Sequence, residues 1–220
     1  MIRKLTEKEA KDIQIGASIM STGGGGDYLD GIKAIEICEE RNQQITFLGM
    51  EDINPEGFYV SVGMIGSISE ETWMPVEQEI ELMAEAVKIL EDSMNVKFEG
   101  IISPELGGIT GITFAVAATL NIPMLDCDAA GRAVPLMDHT TFNIVNIDAC
   151  PVAIATRDGD AIIINKAPKA ERLEQLLRAL AVTSGNIAST FNPIQGKLLK
   201  NSTISSALTV CAKIGKAQRE

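Results

Sequence analysis

The stretch from Phe98 to Leu125 limits the possible folds more than any other part of the chain. Phe98 to Ser103 reads as a strand, Ile109 to Leu120 as a helix and Ile122 to Leu125 as a second strand. No residue from Leu106 to Leu125 is charged, and a run of that length can span a bilayer. Gly107, Gly108, Gly111, Asn121 and Pro123 interrupt it, however, and split it into a helix and a strand. An uncharged crossover helix leading into an uncharged strand suits a parallel βαβ unit, where both are covered. The expectation is a soluble α/β protein with no membrane span.

The flanking patterns extend this unit. Thr6 and Glu9 have capping-box spacing, so a helix to about Ile19 is expected, stopped by the glycines that follow. Asp27 can cap a second helix carrying Leu29, Ile32, Ile35 and Cys38 to about Glu40. Ile45 to Leu48 is a short strand. Phe58, Val60, Val62 and Met64 alternate with Tyr59, Ser61 and Gly63, a period-two strand ending at Gly66. Val76, Ile80, Met83, Val87, Leu90 and Met94 mark an amphipathic helix. Beyond Gly131, strands are expected at Phe142 to Ile147, Val152 to Thr156 and Ala161 to Asn165, the last two joined by Asp158-Gly159 as a hairpin turn. A helix through Leu173, Leu176, Leu177 and Leu180 stops near Gly185, and a final helix carries Ile204, Leu208 and Cys211. These elements predict a three-layer α/β sandwich, with a mainly parallel or mixed central sheet and helices on both faces. Residues 1–220 read as a single domain.

Composition narrows the function. The chain has 19 Lys and Arg against 30 Asp and Glu, a formal net charge of −11. Such a chain repels phosphate backbones and anionic lipid, so neither nucleic acid nor a membrane surface is an expected partner. Cys38, Cys127, Cys150 and Cys211 form no CxxC pair, and reduced, mostly buried thiols in a cytoplasmic protein are the expectation.

Three segments carry chemistry. In Thr22-Gly23-Gly24-Gly25-Gly26-Asp27, consecutive glycines suit positive φ or close approach of a ligand. Ahead of a helix their N–H groups can cradle a carboxylate, a phosphate or an oxyanion; a flexible turn is the plainer alternative. No GxGxxG or GxxxxGK[ST] can be drawn through them, which excludes a dinucleotide fingerprint and a P-loop. Pro104-Glu105-Leu106-Gly107-Gly108 and Asp126-Cys127-Asp128-Ala129-Ala130-Gly131-Arg132 each follow a strand of the βαβ unit. Ligands of open parallel sheets bind beyond the carboxyl ends of the strands, so Glu105, Asp126 and Asp128 are expected to converge there. Asp126 and Asp128 suit either Mg²⁺ or Mn²⁺ binding or acid and base roles, and Arg132 suits a substrate carbonyl or carboxylate. The structural alternative has the two aspartates capping turns and pairing with Arg132. His139, the only histidine, rules out multi-histidine metal sites and ranks as a secondary catalytic candidate. Flanking carboxylates should raise the Cys127 thiol and blunt it as a nucleophile.

Taken together, TGGGGD at Thr22 to Asp27, PELGG at Pro104 to Gly108 and the stretch from Asn121 to Phe142 resemble the S-methyl thiohydantoin desulfurase-like family, associated with hydantoinase and oxoprolinase proteins. The Asp-x-Asp-x-x-Gly-Arg-Ala-x-Pro core at Asp126 to Pro135 is the specific part. Thr110 stands where the family tends to carry Asn, and Cys127 where it carries a smaller residue. Members commonly continue into a second, β-rich domain, so this chain reads as the N-terminal one.

The resemblance implies a three-layer α/β fold and action on a five-membered cyclic amide or thio-amide. The expectation is a hydrolase-type enzyme on hydantoin-like rings. Gly23, Gly24, Gly25, Gly26, Asp27, Gly107, Gly108 and Arg132 would bind substrate, with Asp126, Asp128, Glu105 and His139 catalytic. Asp126 and Asp128 are the metal candidates. A homo-oligomer, a partner subunit or a second domain is expected to complete it. The rival readings are a non-catalytic accessory subunit of a hydantoinase- or oxoprolinase-like assembly and a small-metabolite-binding module.

Overall fold

The computed structural model describes residues 2–66 and 74–220. The strands are β1 (Arg3–Lys4), β2 (Thr46–Leu48), β3 (Phe58–Ile65), β4 (Phe98–Ser103), β5 (Met124–Asp128), β6 (Val152–Ala155), β7 (Ala161–Ile164), β8 (Ile187–Gln195) and β9 (Ile204–Ser205). They form one mixed sheet ordered β1-β2-β5-β4-β3-β8-β6-β7, with β9 paired to β5. Strands β2, β5, β4 and β3 run parallel. At β3 the pattern changes, because β8 lies antiparallel against it over most of its length.

Five helices cover one face: α1 (Glu7–Ser21), α2 (Tyr28–Glu40), α3 (Val76–Met94), α4 (Gly108–Leu120) and α8 (Ala207–Arg219). The other face carries α5 (Thr141–Ile144), α6 (Ala170–Ser184) and α7 (Gly196–Ser202). The result is a three-layer α/β sandwich, as the pattern of elements predicts. Side-chain alternation decides which layer each strand residue meets. Val60, Val62, Ile101 and Met124 pack on the five-helix side, whereas Tyr59, Ile102, Leu125 and Cys127 face the opposite one.

The βαβ reading holds, with α4 buried along nearly its whole length between parallel strands. Among the described residues no helix is long and apolar enough to cross a membrane. Three expectations need correction. Phe142 to Ile147 is not a strand: Thr141 to Ile144 forms a short helix that seats Phe142 in the core. Residues 187–195 form the long strand β8, which Asn192 and Pro193 obscured in the sequence. The strand expected to stop at Leu125 runs to Asp128, placing Asp126, Cys127 and Asp128 in the sheet.

The helical layer is drawn tight by backbone contact. A Cβ on Gly111 in α4 would sit inside the carbonyl of Gly31 in α2. Nearby, fully buried Gln14 of α1 accepts from the Gly111 N–H at 2.8 Å and donates to the Gly107 carbonyl at 3.2 Å. Gly111→Ala should therefore push α2 from α4 at a cost of about 1–3 kcal/mol, a fall in Tm of roughly 3–10 °C by thermal unfolding. An unchanged Tm would show that the crossing tolerates a methyl group.

Candidate functional site

A cavity of about 730 Å³ lies over the carboxyl ends of β3 and β4. Its walls come from α2, α3 and α4 on one side and α6 on the other, with Pro104 and the 134–142 segment closing the edge between them. The position suits the topology: β3 and β4 are parallel, and ligands of open α/β sheets bind beyond the carboxyl ends of such strands.

The loop before α2 and the loop after β4 meet at the rim. Gly25 and Gly107 take φ of +72° and +145°, and a Cβ on either would collide with the other loop's backbone. The Ile109 N–H donates to the Gly25 carbonyl at 2.8 Å. Two of the glycines, Gly25 and Gly26, thereby line the cavity beside Asp27, whose carboxylate caps α2 by accepting from the Leu29 N–H at 2.6 Å.

Glu105 reaches the same cavity. It accepts from the Val134 N–H at 2.6 Å, while the Leu106 N–H donates to the Arg132 carbonyl at 3.2 Å. These two bonds lock the loops after β4 and β5 together. Burial pushes the Glu105 carboxyl above its ordinary range, against the Val134 hydrogen bond and with a smaller push from Asp128.

Asp126 and Asp128 go elsewhere. Both project from β5 to the five-helix side, where α8 packs. Asp126 is 7% exposed, and its two carboxylate oxygens accept from the backbone N–H and the hydroxyl of Thr209, at 2.9 and 2.6 Å. It caps α8. Asp128 is fully buried and accepts from the Ala130 and Gly131 N–H groups through one oxygen, leaving the other without a partner. Burial raises its carboxyl to about 6, against those two hydrogen bonds. This donor set does not fit Mg²⁺ or Mn²⁺. Both Asp126 oxygens are engaged by Thr209, and the described residues contain no cluster of three or more ligating side chains.

The remaining candidates also lie off the cavity wall. Arg132 is solvent-exposed and makes no ion pair with either aspartate, and His139 is exposed with its Nε2 3.6 Å from Asp138. Gly23 and Gly24 sit outside the lining, as do Gly107 and Gly108, which press against the glycine loop instead. Cys127 is raised as expected, but chiefly by complete burial, with its acidic neighbours a minor influence.

Several lining residues were not singled out from the sequence. Ser61 is 1% exposed, and its Oγ has no hydrogen-bond partner among the described residues. Its place in an alternating strand suggests a solvent-facing hydroxyl, whereas β3 is covered on both faces. Glu174, 7% exposed, accepts from Arg178 Nε at 2.8 Å and from the Met137 N–H at 3.0 Å, which ties the cavity wall to α6. Asp30 and Glu79 come from the first turns of α2 and α3. Only their position at helix starts flagged them, and acidic residues are common there. Burial, then the charge of Asp30, raises Glu79 to about 7; burial, then Asp27, raises Asp30.

Residues 8–166 match the S-Me-THD-like family, N-terminal domain, and the chain belongs to that family. A protein from Chromobacterium violaceum, known from its crystal structure, superposes with a TM-score of 0.84 at 19% identity over 99% of this chain. At that identity the match speaks for the fold. The chain spans 62% of that protein's length. No curated protein matches it.

The raised Glu79 carboxyl sets a pH dependence of stability. An unfolded Glu titrates near ~4.3 and the folded one near about 7, so between these values the folded protein holds a proton the unfolded chain has lost. Stability from this group is therefore full at low pH and falls as pH rises through that window. Glu79→Gln mimics the protonated form. Its Tm should equal that of the parent near pH ~3.5, below both values, and exceed it by roughly 2–4 °C at pH 8, about 1 kcal/mol after solvent screening. A difference independent of pH would rule out this titration.

Proposed function

We propose that the protein is a hydrolase-type enzyme acting on hydantoin-like or thiohydantoin-like rings held in the cavity over β3 and β4. The observation carrying this reading is the convergence of Gly25, Gly26, Ser61 and Glu105 on one cavity. Its volume lies within the roughly 300–1,000 Å³ range of small-molecule sites. Membership of the S-Me-THD-like family is what supports this choice of substrate class.

In this reading a flat five-membered ring lies among Phe142, Phe191, Ile109 and Pro104, all of which line the cavity. The Gly25–Gly26 backbone receives the oxygen on which negative charge develops, an interaction that is often the largest catalytic contribution. The Ser61 hydroxyl finds in the ring the polar partner it lacks in the protein. Glu105, raised by burial, takes a proton from the attacking water and delivers it to the leaving group. On an S-methyl thiohydantoin a C–O bond forms and the C–S bond breaks. Methanethiol departs with that proton, the ring nitrogen of the former C=N bond takes the second proton of the water, and the ring becomes a hydantoin. On a hydantoin the C–N bond breaks instead, and the proton goes to nitrogen.

One observation favours a binding or accessory subunit: of the carboxylates named from the sequence, only Asp27 and Glu105 reach the cavity. Turnover of hydantoins, S-methyl thiohydantoins and 5-oxoproline, followed by mass spectrometry, separates the readings. The enzyme reading expects a product, a loss of about 10²-fold or more in kcat for Glu105→Gln, and no comparable loss for Asp126→Asn. The latter should instead lower Tm, because a helix cap contributes about 1 kcal/mol. Saturable binding without turnover would establish the binding module. A kcat loss in Asp126→Asn as large as that in Glu105→Gln would return the chemistry to the Asp-x-Asp segment.

A further inference from the structure

Of the 19 glycines in the chain, Gly63 is the one that the protein's own backbone does not require. Every other glycine either takes a positive φ or would press a Cβ closer than 3.0 Å to a neighbouring atom. A Cβ on Gly63 would meet Phe191 Cε2 at 3.6 Å and Pro104 Cγ at 3.8 Å, ordinary van der Waals distances. Gly63 nevertheless lies inside β3, where the backbone entropy of a glycine weakens a strand. Strand glycines otherwise mark a bulge, a sharp bend, or close approach of another backbone or a ligand. There is no bulge or bend, since Val62, Gly63 and Met64 pair in unbroken register with Thr190, Ser189 and Ala188 of β8. Nor does another backbone approach among the described residues, because both neighbouring atoms belong to side chains.

A ligand is the remaining reason for this glycine. The open side of Gly63 is the cavity, which it lines together with Ser61, two residues earlier on the same face of β3. Ser61 supplies an independent observation at the same place. Buried hydroxyls are nearly always hydrogen-bonded, yet Ser61 Oγ is enclosed and has no partner among the described residues. The Phe191 ring comes from the residue opposite Ser61 in the sheet, and Pro104 follows the end of β4. These two side chains stand beside Gly63 and line the same cavity. The result is a slot with a bare peptide as its floor, apolar walls and one hydroxyl at its inner end.

We infer that Gly63 is a specificity-determining residue: its bare peptide receives the unsubstituted face of a planar heterocycle whose polar edge pairs with the Ser61 hydroxyl. This rests on the ring-hydrolase reading for the reaction done on the ring, but not for the flat shape of the ligand. A side chain at position 63 lifts the ring off the floor and shifts it relative to the Gly25–Gly26 backbone and Glu105. A misplacement of about 1 Å can cost about 10²-fold in rate. The strand gains what the site loses, because Ala is ordered at a smaller entropic cost than Gly.

The test is Gly63→Ala, with Gly63→Val as the larger step, each followed by thermal unfolding and by turnover of 5-methyl S-methyl thiohydantoin. Gly63→Ala should raise Tm by roughly 1–4 °C while kcat/KM falls at least about tenfold, and Gly63→Val should lose more activity still. Ser61→Ala should keep its Tm, since no protein partner is lost, yet lower kcat/KM about threefold or more. A smaller loss of activity in Gly63→Ala overturns the inference. So does a loss accompanied by a lower Tm, because Gly63 would then serve the protein's own packing. Unchanged kcat/KM in Ser61→Ala overturns it as well. Gly63→Ala decides alone if the Tm of Gly63→Val shows that the larger side chain prevents folding. If the parent turns over no ring, the ring-hydrolase reading fails, and the slot is read by saturation-transfer NMR with hydantoin, uracil and 2-pyridone, planar rings with a polar edge. Transfer in the parent that is lost in Gly63→Ala supports the slot. No transfer to any of these rings, or transfer that persists in the variant, overturns it.

Discussion

The contact between the Gly25 and Gly107 loops is the constraint on which the site depends. Two backbones approach so closely that neither position admits a Cβ, and the Ile109 N–H bond to the Gly25 carbonyl closes the contact. Gln14 reinforces it from beneath. Its buried amide answers both the Gly107 carbonyl and the Gly111 N–H, backbone groups at the start of α4 that would otherwise be costly to enclose. With these bonds made, α1, α2 and α4 form one block, and the carboxyl ends of β3 and β4 are left open for a cavity.

Alternation along β5 then separates the acidic residues that cap helix and turn from those that line the cavity. Met124, Asp126 and Asp128 share one face of the strand, while Leu125 and Cys127 share the other. The helix packed on the first face is α8, so the aspartates serve its N-terminus and the turn at Ala130 and Gly131. Glu105 stands one strand away, after Pro104 has ended β4, and is free to face the cavity. Its Val134 bond joins the two loops, so the residue offered for catalysis also shapes the wall around it.

The sheet was legible in the sequence wherever local pattern and tertiary demand agree. The βαβ unit, the capped α1 and α2, and the Asp158-Gly159 hairpin all carry signals within a few residues of one another. Strand β8 carried none, because Asn192 and Pro193 weaken its pattern and its pairing with β3 spans more than a hundred residues. Part of the cavity lining was legible for the same reason. Gly25, Gly26, Asp27 and Glu105 sit in segments whose composition is unusual. Ser61, Asp30 and Glu79 sit in ordinary strand and helix-start positions, and nothing local distinguishes them from solvated residues.

By itself, then, the sequence determined the α/β class, the parallel unit at its centre, the resemblance to one family, and the strand ends over which the cavity opens. These depend on periodicity, punctuation and short motifs, which act over one element at a time. The tertiary structure alone decided which carboxylates face the cavity and which are consumed as helix and turn caps. That choice is set by the face of β5 that α8 covers and by the loops that touch across Gly25 and Gly107. Both are contacts between segments about eighty residues apart, and no local pattern encodes which partner arrives.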